Sequence, residues 1–367
     1  MPSPSSNDLS IADLLKVLVD NRGSDLHLQA GEVPMGRIDG ELGRFSMDPL
    51  TEEDVYRLIK EILGSDEKIE EFKKRKDVDA AITVGDIGRF RVNLFFQRNL
   101  PGAVLRTIGT KILTLEDLGL PDILKKVAEL NHGLILITGA TGSGKSTTLA
   151  AVIDHINATQ YSHIMTLEDP IEFVHQNKQC LINQREMAED SNDFAAALKH
   201  VLRQDPDVIL IGEMRDVESV NVALTAAETG HLVLATLHTS DAAESLDRII
   251  NMYPTDKIHQ IRMQLAMGLV AIVCQKLIPK SNGGRTAALE IMINSPRIKK
   301  LILEGDTTKI QGAIQGSRLD GMQTFNQALA DLVKDGTIDE EVALEFSPKP
   351  DELKMNLKGI FSGTSAM

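Results

Sequence analysis

A short segment in the middle of the chain carries residues suited to phosphate chemistry. Residues 139–146 read Gly-Ala-Thr-Gly-Ser-Gly-Lys-Ser and fit the pattern GxxxxGK[ST]. In such loops the glycines let backbone N–H groups surround phosphate oxygens, the lysine reaches the β- and γ-phosphates, and the hydroxyl ligates Mg²⁺. We therefore predict that Lys145 stabilises the transferring phosphate of a nucleotide and that Ser146 ligates the metal.

The flanking residues support this interpretation. Residues 134–137 are Leu-Ile-Leu-Ile, which is typical of a buried strand, and apolar residues recur at helical spacing between 149 and 156. A strand, a glycine-rich loop and a helix follow one another, so the helix N-terminus adds positive partial charge to the loop. The predicted nucleotide contacts are the loop and the residue after it: Gly139, Ala140, Thr141, Gly142, Ser143, Gly144, Lys145, Ser146 and Thr147.

Other polar side chains follow neighbouring predicted strands. Glu168 and Glu213 each come after an apolar strand, Glu172 lies one short turn beyond Glu168, and His238 ends a third apolar run. In open parallel sheets, ligands bind beyond the carboxyl ends of the strands. We therefore expect all four side chains near the bound nucleotide.

The two principal carboxylates can divide the catalytic work in two ways. Gly212 stands before Glu213 where the usual second-strand motif has an aspartate. Either Glu213 both holds Mg²⁺ through water and orients the attacking water, or Glu168 is the base and Glu213 serves the metal. The sequence leaves both assignments open.

Two histidines lie at opposite ends of one predicted strand. His231 and His238 are seven residues apart, which in an extended strand is roughly 20 Å at about 3.3 Å per residue. They cannot both contact one γ-phosphate. We predict that His238 senses the phosphate, and that His231 orders local backbone or couples to a neighbour.

From residue 115 onward, strands and helices alternate, which favours a mostly parallel sheet covered by helices on both faces. The predicted fold class is therefore α/β, with a P-loop core at 115–295 and a smaller α+β domain at 1–100. An interdomain strand and linker are predicted at 101–114, and a helical C-terminal region at 296–367.

Arginines recur on one face of the predicted N-terminal sheet. Residues 85–88 read Gly-Asp-Ile-Gly, which is typical of a hairpin turn, and the next strand alternates so that Arg89 and Arg91 share a face. Arg106 lies in the last strand before the P-loop core. These patterns alone do not distinguish functional arginines from ordinary surface ones.

Composition limits the possible functions. The chain has 367 residues and a formal net charge of −14, which opposes broad attraction to nucleic acid or anionic lipid. Two cysteines, Cys180 and Cys274, are too few for a disulfide scaffold or a four-cysteine metal site. No apolar run approaches the roughly 18 residues that span a bilayer. We expect a cytoplasmic protein without direct membrane insertion that reaches a membrane only through a partner.

The combined motifs resemble those of the secretion ATPases, in an order and spacing that are highly specific. In that family they are the Walker A, Asp-box, Walker B and His-box motifs. The matching segments are residues 139–146, 166–172, 203–213 and 229–239, with further similarity at 23–28 and 88–93. The His box adds His231 to the candidate nucleotide-site residues.

This resemblance, which extends over nearly the whole chain, implies a PAS-like N-terminal domain, a RecA-like core and a homo-hexameric ring. It also implies an ATP- and Mg²⁺-dependent motor for type IV pilus retraction. Such a motor acts on a platform protein in the inner membrane and sits at that membrane's inner face. Arg91 and Arg106 resemble paired N-terminal arginines that reach the nucleotide, in the same subunit or across a ring interface.

Alternatives remain open within and beyond the family. Assembly and type II secretion ATPases usually carry a larger N-terminal domain and a four-cysteine motif, which this chain lacks. Retraction ATPases typically read Ala-Ile-Arg-Asn-Leu-Ile-Arg-Glu where residues 297–304 here read Arg-Ile-Lys-Lys-Leu-Ile-Leu-Glu. One alternative is therefore that this chain is an accessory paralogue, which would have a main retraction ATPase as its partner. A nucleotide-dependent switch without turnover is another.

Overall fold

The computed structural model describes residues 9–358, apart from 39, 110–111, 188–189 and 192–193. The chain divides into two compact units, Met1–Lys111 and Ile112–Met367. No helix in the described part of the chain is long and apolar enough to cross a membrane.

The N-terminal unit is an antiparallel six-stranded sheet with three helices. The sheet order is β3-β2-β1-β6-β5-β4, and Ser10 and Thr51 each begin a helix with a capping box. Its apolar core lies between the helices and one sheet face. The elements are α1 Ile11–Asp20, β1 Gly23–Gln29, β2 Met35–Ile38, β3 Glu41–Arg44, α2 Glu52–Leu63, α3 Asp66–Arg75, β4 Asp77–Val84, β5 Gly88–Gln97 and β6 Leu100–Ile108.

Strand β6 lies inside this sheet, paired with β1 on one side and β5 on the other. The sequence-based division assigned residues 101–114 to an interdomain strand and linker. Ala103 and Leu105 are fully buried in the core of the N-terminal unit, so the apolar face of β6 packs with that unit. Strand β3 was not predicted, because its four exposed residues carry no apolar alternation.

The C-terminal unit contains a seven-stranded sheet of order β13-β12-β7-β11-β10-β8-β9. All neighbouring strands are parallel except the β12–β13 hairpin, which confirms the predicted mostly parallel α/β fold. The strands are β7 Gly133–Thr138, β8 His163–Glu168, β9 Leu181–Glu186, β10 Val208–Ile211, β11 Leu232–Leu237, β12 Leu269–Pro279 and β13 Arg285–Ile293.

Helices cover both faces of this sheet. One buried cluster joins α4 and α5 to one face, and a larger cluster joins the remaining helices to the other. The predicted packing of C-terminal helices on the nucleotide core is confirmed, because Ile298, Phe325 and Leu329 belong to the larger cluster. The helices are α4 Ile123–Ala128, α5 Lys145–Thr159, α6 Phe194–Val201, α7 Val217–Glu228, α8 Ala242–Ile250, α9 Ile258–Gly268, α10 Pro296–Glu304, α11 Ile310–Gln315, α12 Phe325–Lys334, α13 Glu340–Phe346 and α14 Pro350–Leu357.

Asn157 fixes the C-terminal end of the helix that begins at the P-loop. Its side chain is fully buried. Its Nδ2 donates to the Gln176 carbonyl oxygen (2.8 Å), and its Oδ1 accepts from the backbone N–H of Lys178 (2.9 Å) and of Cys180 (3.4 Å). One amide thus orders the segment that leads into edge strand β9.

Replacing Asn157 with leucine should lower the free energy of unfolding by about 2–4 kcal/mol, because buried backbone groups lose their partners. Thermal and denaturant unfolding would measure the loss. Thr159→Ala is the matched control, since it removes an exposed local bond to the His155 carbonyl oxygen at the same helix end, and should change stability by less than about 0.5 kcal/mol. Equal effects of the two variants would contradict the assignment.

Candidate functional site

The loop after β7 has the backbone that phosphate binding requires. Every residue of β7 is buried, and Gly139, Gly142 and Gly144 adopt φ values of +144°, +78° and +87°. Helix α5 begins directly after Gly144, which is its N-cap residue. Glycine has no side chain, so no side-chain hydrogen bond caps this helix start. The first N–H groups of α5 are therefore left to bind phosphate oxygens.

Lys145 is 9% exposed and lies folded against the loop. Its Nζ donates to the carbonyl oxygens of Gly139 (2.7 Å) and Ala140 (3.1 Å). Burial lowers the pKa of Lys145, while the charges of Glu213 and Glu172 act in the opposite direction. The charges of Glu213 and Glu172 thus act on Lys145, and the roles of all three residues at a nucleotide stay predictions.

Glu213 and His238 meet at the ends of neighbouring strands. Glu213 Oε1 lies 3.4 Å from His238 Nε2, and Glu213 Oε2 accepts a hydrogen bond of 2.7 Å from Arg215 Nε. Arg215 also contacts Asp169, with 3.3 Å between Nη1 and Oδ2. Both oxygens of the Glu213 carboxylate are thus oriented, which suits a group that positions water or a metal.

Gly212 occupies the position where the usual motif has an aspartate, and its packing gives a physical reason. Its N–H donates to the Leu167 carbonyl oxygen (2.8 Å). A Cβ at this position would lie 3.1 Å from that oxygen and 3.3 Å from Glu168 Cα. The close approach of the two strand ends favours glycine, and it places Glu213 beside the Glu168 segment.

Glu168 is held in a more buried setting. Its Oε1 accepts hydrogen bonds from Thr166 Oγ1 (2.7 Å) and Gln184 Nε2 (3.1 Å). Burial raises the pKa of Glu168 above its ordinary value, although the two hydrogen bonds oppose this effect. A half-buried carboxylate with a raised pKa suits a proton acceptor, so both assignments of the catalytic base stay open.

His231 comes just before β11, at the opposite end of the strands from the P-loop. Its carbonyl oxygen accepts from the N–H of Gly133, at the start of β7, and its Nδ1 lies 3.0 Å from the Ala226 carbonyl oxygen. The structure therefore does not bring His231 to the loop within one chain. This placement agrees with the alternative that His231 orders local backbone.

Arg91 and Arg106 lie directly opposite each other on β5 and β6 of the N-terminal unit. Arg106 Nε donates to Asp25 Oδ1 (2.7 Å), and Ser24 Oγ donates to Asp25 Oδ2 (2.7 Å). Burial acts to raise the pKa of Asp25, but these hydrogen bonds lower it below its ordinary value. The two arginines share one sheet face, and their contact with nucleotide stays a prediction.

Two site residues were missed from the sequence. Arg215 lies two positions after Glu213, in Glu-Met-Arg-Asp, and its charge beside a candidate catalytic carboxylate was the available signal. Gln184 donates to both Glu168 and the Phe173 carbonyl oxygen. It lies on β9, a partly polar edge strand that was not predicted, so the sequence held no comparable signal for it.

The residues present fit ATP and Mg²⁺. The loop offers N–H groups and an ammonium for phosphate oxygens, and Ser146 and Glu213 offer the oxygen ligands that Mg²⁺ prefers. In the described ranges, no group of three or more His, Cys, Asp or Glu side chains is placed to hold a metal ion. Mg²⁺ commonly takes one or two protein ligands and completes its shell with phosphates and water.

Comparison with known proteins gives a consistent result. The model of the family described as "Type II/IV secretion system protein" matches residues 7–343. The type IV pilus retraction ATPase PilT of Pseudomonas aeruginosa is 46% identical over 343 residues, covering 94% of this chain and 99% of that protein. The type IV pilus ATPase PilU of the same organism is 42% identical over 346 residues, covering 94% and 90%.

Solved structures agree. A crystal structure of the pilus retraction motor PilT with bound ADP matches with a TM-score of 0.89 and 42% identity, over 95% of this chain and 99% of that chain. The ATPase DotB of Legionella pneumophila matches with a TM-score of 0.76 and 28% identity, over 94% and 96%. The predicted resemblance to the secretion ATPases is confirmed: this chain belongs to the type II/IV secretion system protein family, and its similarity to the pilus retraction ATPases extends over nearly its whole length.

Proposed function

We propose that this protein is an ATP-hydrolysing motor that drives type IV pilus retraction and thus twitching motility. The observation that carries the proposal is geometric: the P-loop with Lys145 follows β7, and the Glu213–His238 pair follows the neighbouring parallel strands β10 and β11 at the same end of the sheet. That end holds a phosphate-binding loop and an oriented carboxylate, which are the parts that phosphoryl transfer to water needs. The pilus assignment is supported by the similarity to the retraction ATPases.

Each residue has a proposed part in hydrolysis. The N–H groups of residues 139–147 and the Lys145 ammonium bind the β- and γ-phosphates, where negative charge gathers in the transition state. Ser146 and Glu213 would hold Mg²⁺, which would supply positive charge to neutralise part of the phosphate charge. Glu213 or Glu168 orients the attacking water and accepts its proton, and His238 senses the γ-phosphate.

The similarity to the secretion ATPases supports a proposal for the wider assembly. We propose a homo-hexamer in the cytoplasm, held at the inner face of the inner membrane by the pilus platform protein, without nucleic acid and without membrane insertion. In this proposal the N-terminal unit moves with nucleotide state, and Arg91 and Arg106 reach the phosphates of the same subunit or of a neighbouring one in the ring. Arginine suits this role because its charge is permanent and its donors are forked.

Helix α10 favours a second candidate, an accessory retraction ATPase that works with a main one. The positions that keep the retraction pattern include Ile298, Leu301 and Ile302, which are buried. The positions that depart from it are all exposed: Arg297, Lys299, Lys300 and Leu303. The buried residues of α10 thus match the retraction pattern, while its exposed residues differ from it. This is expected if the exposed face of α10 binds a partner that differs from the one bound by a main retraction ATPase.

The base assignment can be tested by comparing Glu213→Gln with Glu168→Gln. We expect Glu213→Gln to bind ATP but to slow turnover at least about a hundredfold, because a water-positioning base is lost. Glu168→Gln should slow it less. Single-turnover hydrolysis measures the chemical step, with Lys145→Ala as the inactive control and Lys280→Ala, in the exposed β12–β13 turn, as the neutral one. The reverse ranking would transfer the base role to Glu168.

The paired-arginine proposal predicts that Arg91→Ala and Arg106→Ala each reduce hydrolysis at least about tenfold while the protein stays folded. Asp25→Asn is the matched control, because it removes the charged partner of Arg106 and leaves the guanidinium in place. An Asp25→Asn enzyme as slow as Arg106→Ala would show that Arg106 acts through that ion pair. Activity recovered on mixing Lys145→Ala with Arg106→Ala subunits would show action across a ring interface.

The retraction proposal predicts that cells lacking the protein keep surface pili and stop twitching, because filaments are built without a disassembly motor. Electron microscopy of pili and a twitching assay measure the two properties. Wild-type protein should restore twitching and Lys145→Ala should not. Loss of pili would point to an assembly motor, and a weak motility defect would favour the accessory candidate.

A further inference from the structure

A buried glutamine lies beside the first residue of the P-loop. Strand β12 runs parallel to β7, with Cys274 opposite Thr138. Gln275 follows at the point where the chain of β7 turns into the loop, and it is 3% exposed among buried apolar neighbours. A long polar side chain in this setting must find hydrogen-bond partners.

Both ends of the Gln275 amide are used. Its Nε2 donates to the Ser143 carbonyl oxygen in the loop, and its Oε1 accepts from Thr148 Oγ1 in the first turn of α5, each at 2.8 Å. Thr148 is 2% exposed. One side chain on β12 thus fixes the last part of the loop and the start of the helix relative to each other.

The loop glycines also pack on Gln275. A Cβ on Gly144 would lie 2.8 Å from Gln275 Nε2, and a Cβ on Gly139 would lie 2.4 Å from the Gln275 carbonyl oxygen. A Cβ on Gly142 would meet nothing within 4 Å. Glycine at 139 is therefore required by close approach to the Gln275 backbone as well as by backbone conformation. A side chain at 144 would displace the Gln275 amide, whereas Gly142 is required by conformation alone.

The strand that carries Gln275 is firmly held. It pairs with β7 on one side and with β13 on the other. The next residue, Lys276, lies with its Nζ 3.3 Å from the Phe346 carbonyl oxygen and 4.8 Å from the centre of the Phe325 ring. The Gln275 amide is thus presented from a rigid element and not from another loop, as accurate positioning requires.

We propose that Gln275 is a positioning residue for nucleotide binding, which holds the P-loop in its phosphate-binding conformation before the nucleotide arrives. The proposal rests on the proposed ATPase function and adds a residue to it. A loop that is ordered before binding loses little conformational entropy when the nucleotide binds. The free energy of binding is therefore more favourable than for a loop that must become ordered. Loss of the amide should therefore weaken binding of ATP and ADP alike and leave the chemical step at saturation largely unchanged.

The test compares Gln275→Met, which keeps length and burial but loses both hydrogen bonds, with Gln323→Met. Gln323 Nε2 donates to the Leu289 carbonyl oxygen elsewhere in the same unit (2.9 Å), so its loss controls for a general loss of stability. Titration with a fluorescent ADP at a temperature well below unfolding gives Kd, and steady-state hydrolysis gives KM and kcat. We expect Gln275→Met to raise Kd and KM at least about tenfold with kcat within about threefold, and Gln323→Met to leave Kd unchanged.

Thr148→Val and Thr148→Ser provide a second pair in case Gln275→Met fails to fold. Thr148→Val removes the donor to Gln275 Oε1 and should raise Kd, and Thr148→Ser should restore the affinity. An unchanged Kd and KM in the folded variants, with only a lower melting temperature, would overturn the inference while leaving the ATPase function in place. Failure of the wild-type protein to bind ADP would overturn the proposed function itself.

Discussion

The parallel pairing of the central strands is the constraint on which the candidate site depends. Thr138 lies opposite Leu237, and Ile211 lies opposite Leu167. Because these strands run in one direction, the residues that follow them all lie at the carboxyl end of the sheet. The P-loop, Glu213, His238 and the Glu168 segment converge there although they are far apart in sequence.

The charged side chains at the carboxyl end of the sheet suit a nucleotide only when it binds together with its metal ion. Burial lowers the pKa of Lys145, and the neighbouring charges of Glu213 and Glu172 oppose that shift. Glu168 is half-buried, and its partial burial raises its pKa. The carboxyl end described in this unit is therefore rich in carboxylates, so a triphosphate bound there needs further cations. Mg²⁺ and arginines brought from elsewhere are the proposed sources.

The sequence predicted the elements that depend on local pattern. The P-loop, the apolar strands and the side chains that follow them were predictable from spacing, and the structure brings Glu213 and His238 together. The contacts that orient these groups were not predictable. Gln184 donates to Glu168 and Gln275 donates to the Ser143 carbonyl oxygen, and each partner is distant from its glutamine in the sequence. A buried glutamine in an apolar strand signals a hydrogen-bonded role, but the sequence does not say with which partner.

Steady-state phosphate release by the purified protein, measured with Mg²⁺ and with the metal chelated, tests the central claim most directly. A motor with a P-loop, a metal site and an oriented carboxylate should release phosphate continuously while ATP lasts, and should stop when Mg²⁺ is removed. Tight binding of ATP without turnover in the presence of Mg²⁺ would contradict the motor. The protein would then be a switch that changes shape with bound nucleotide.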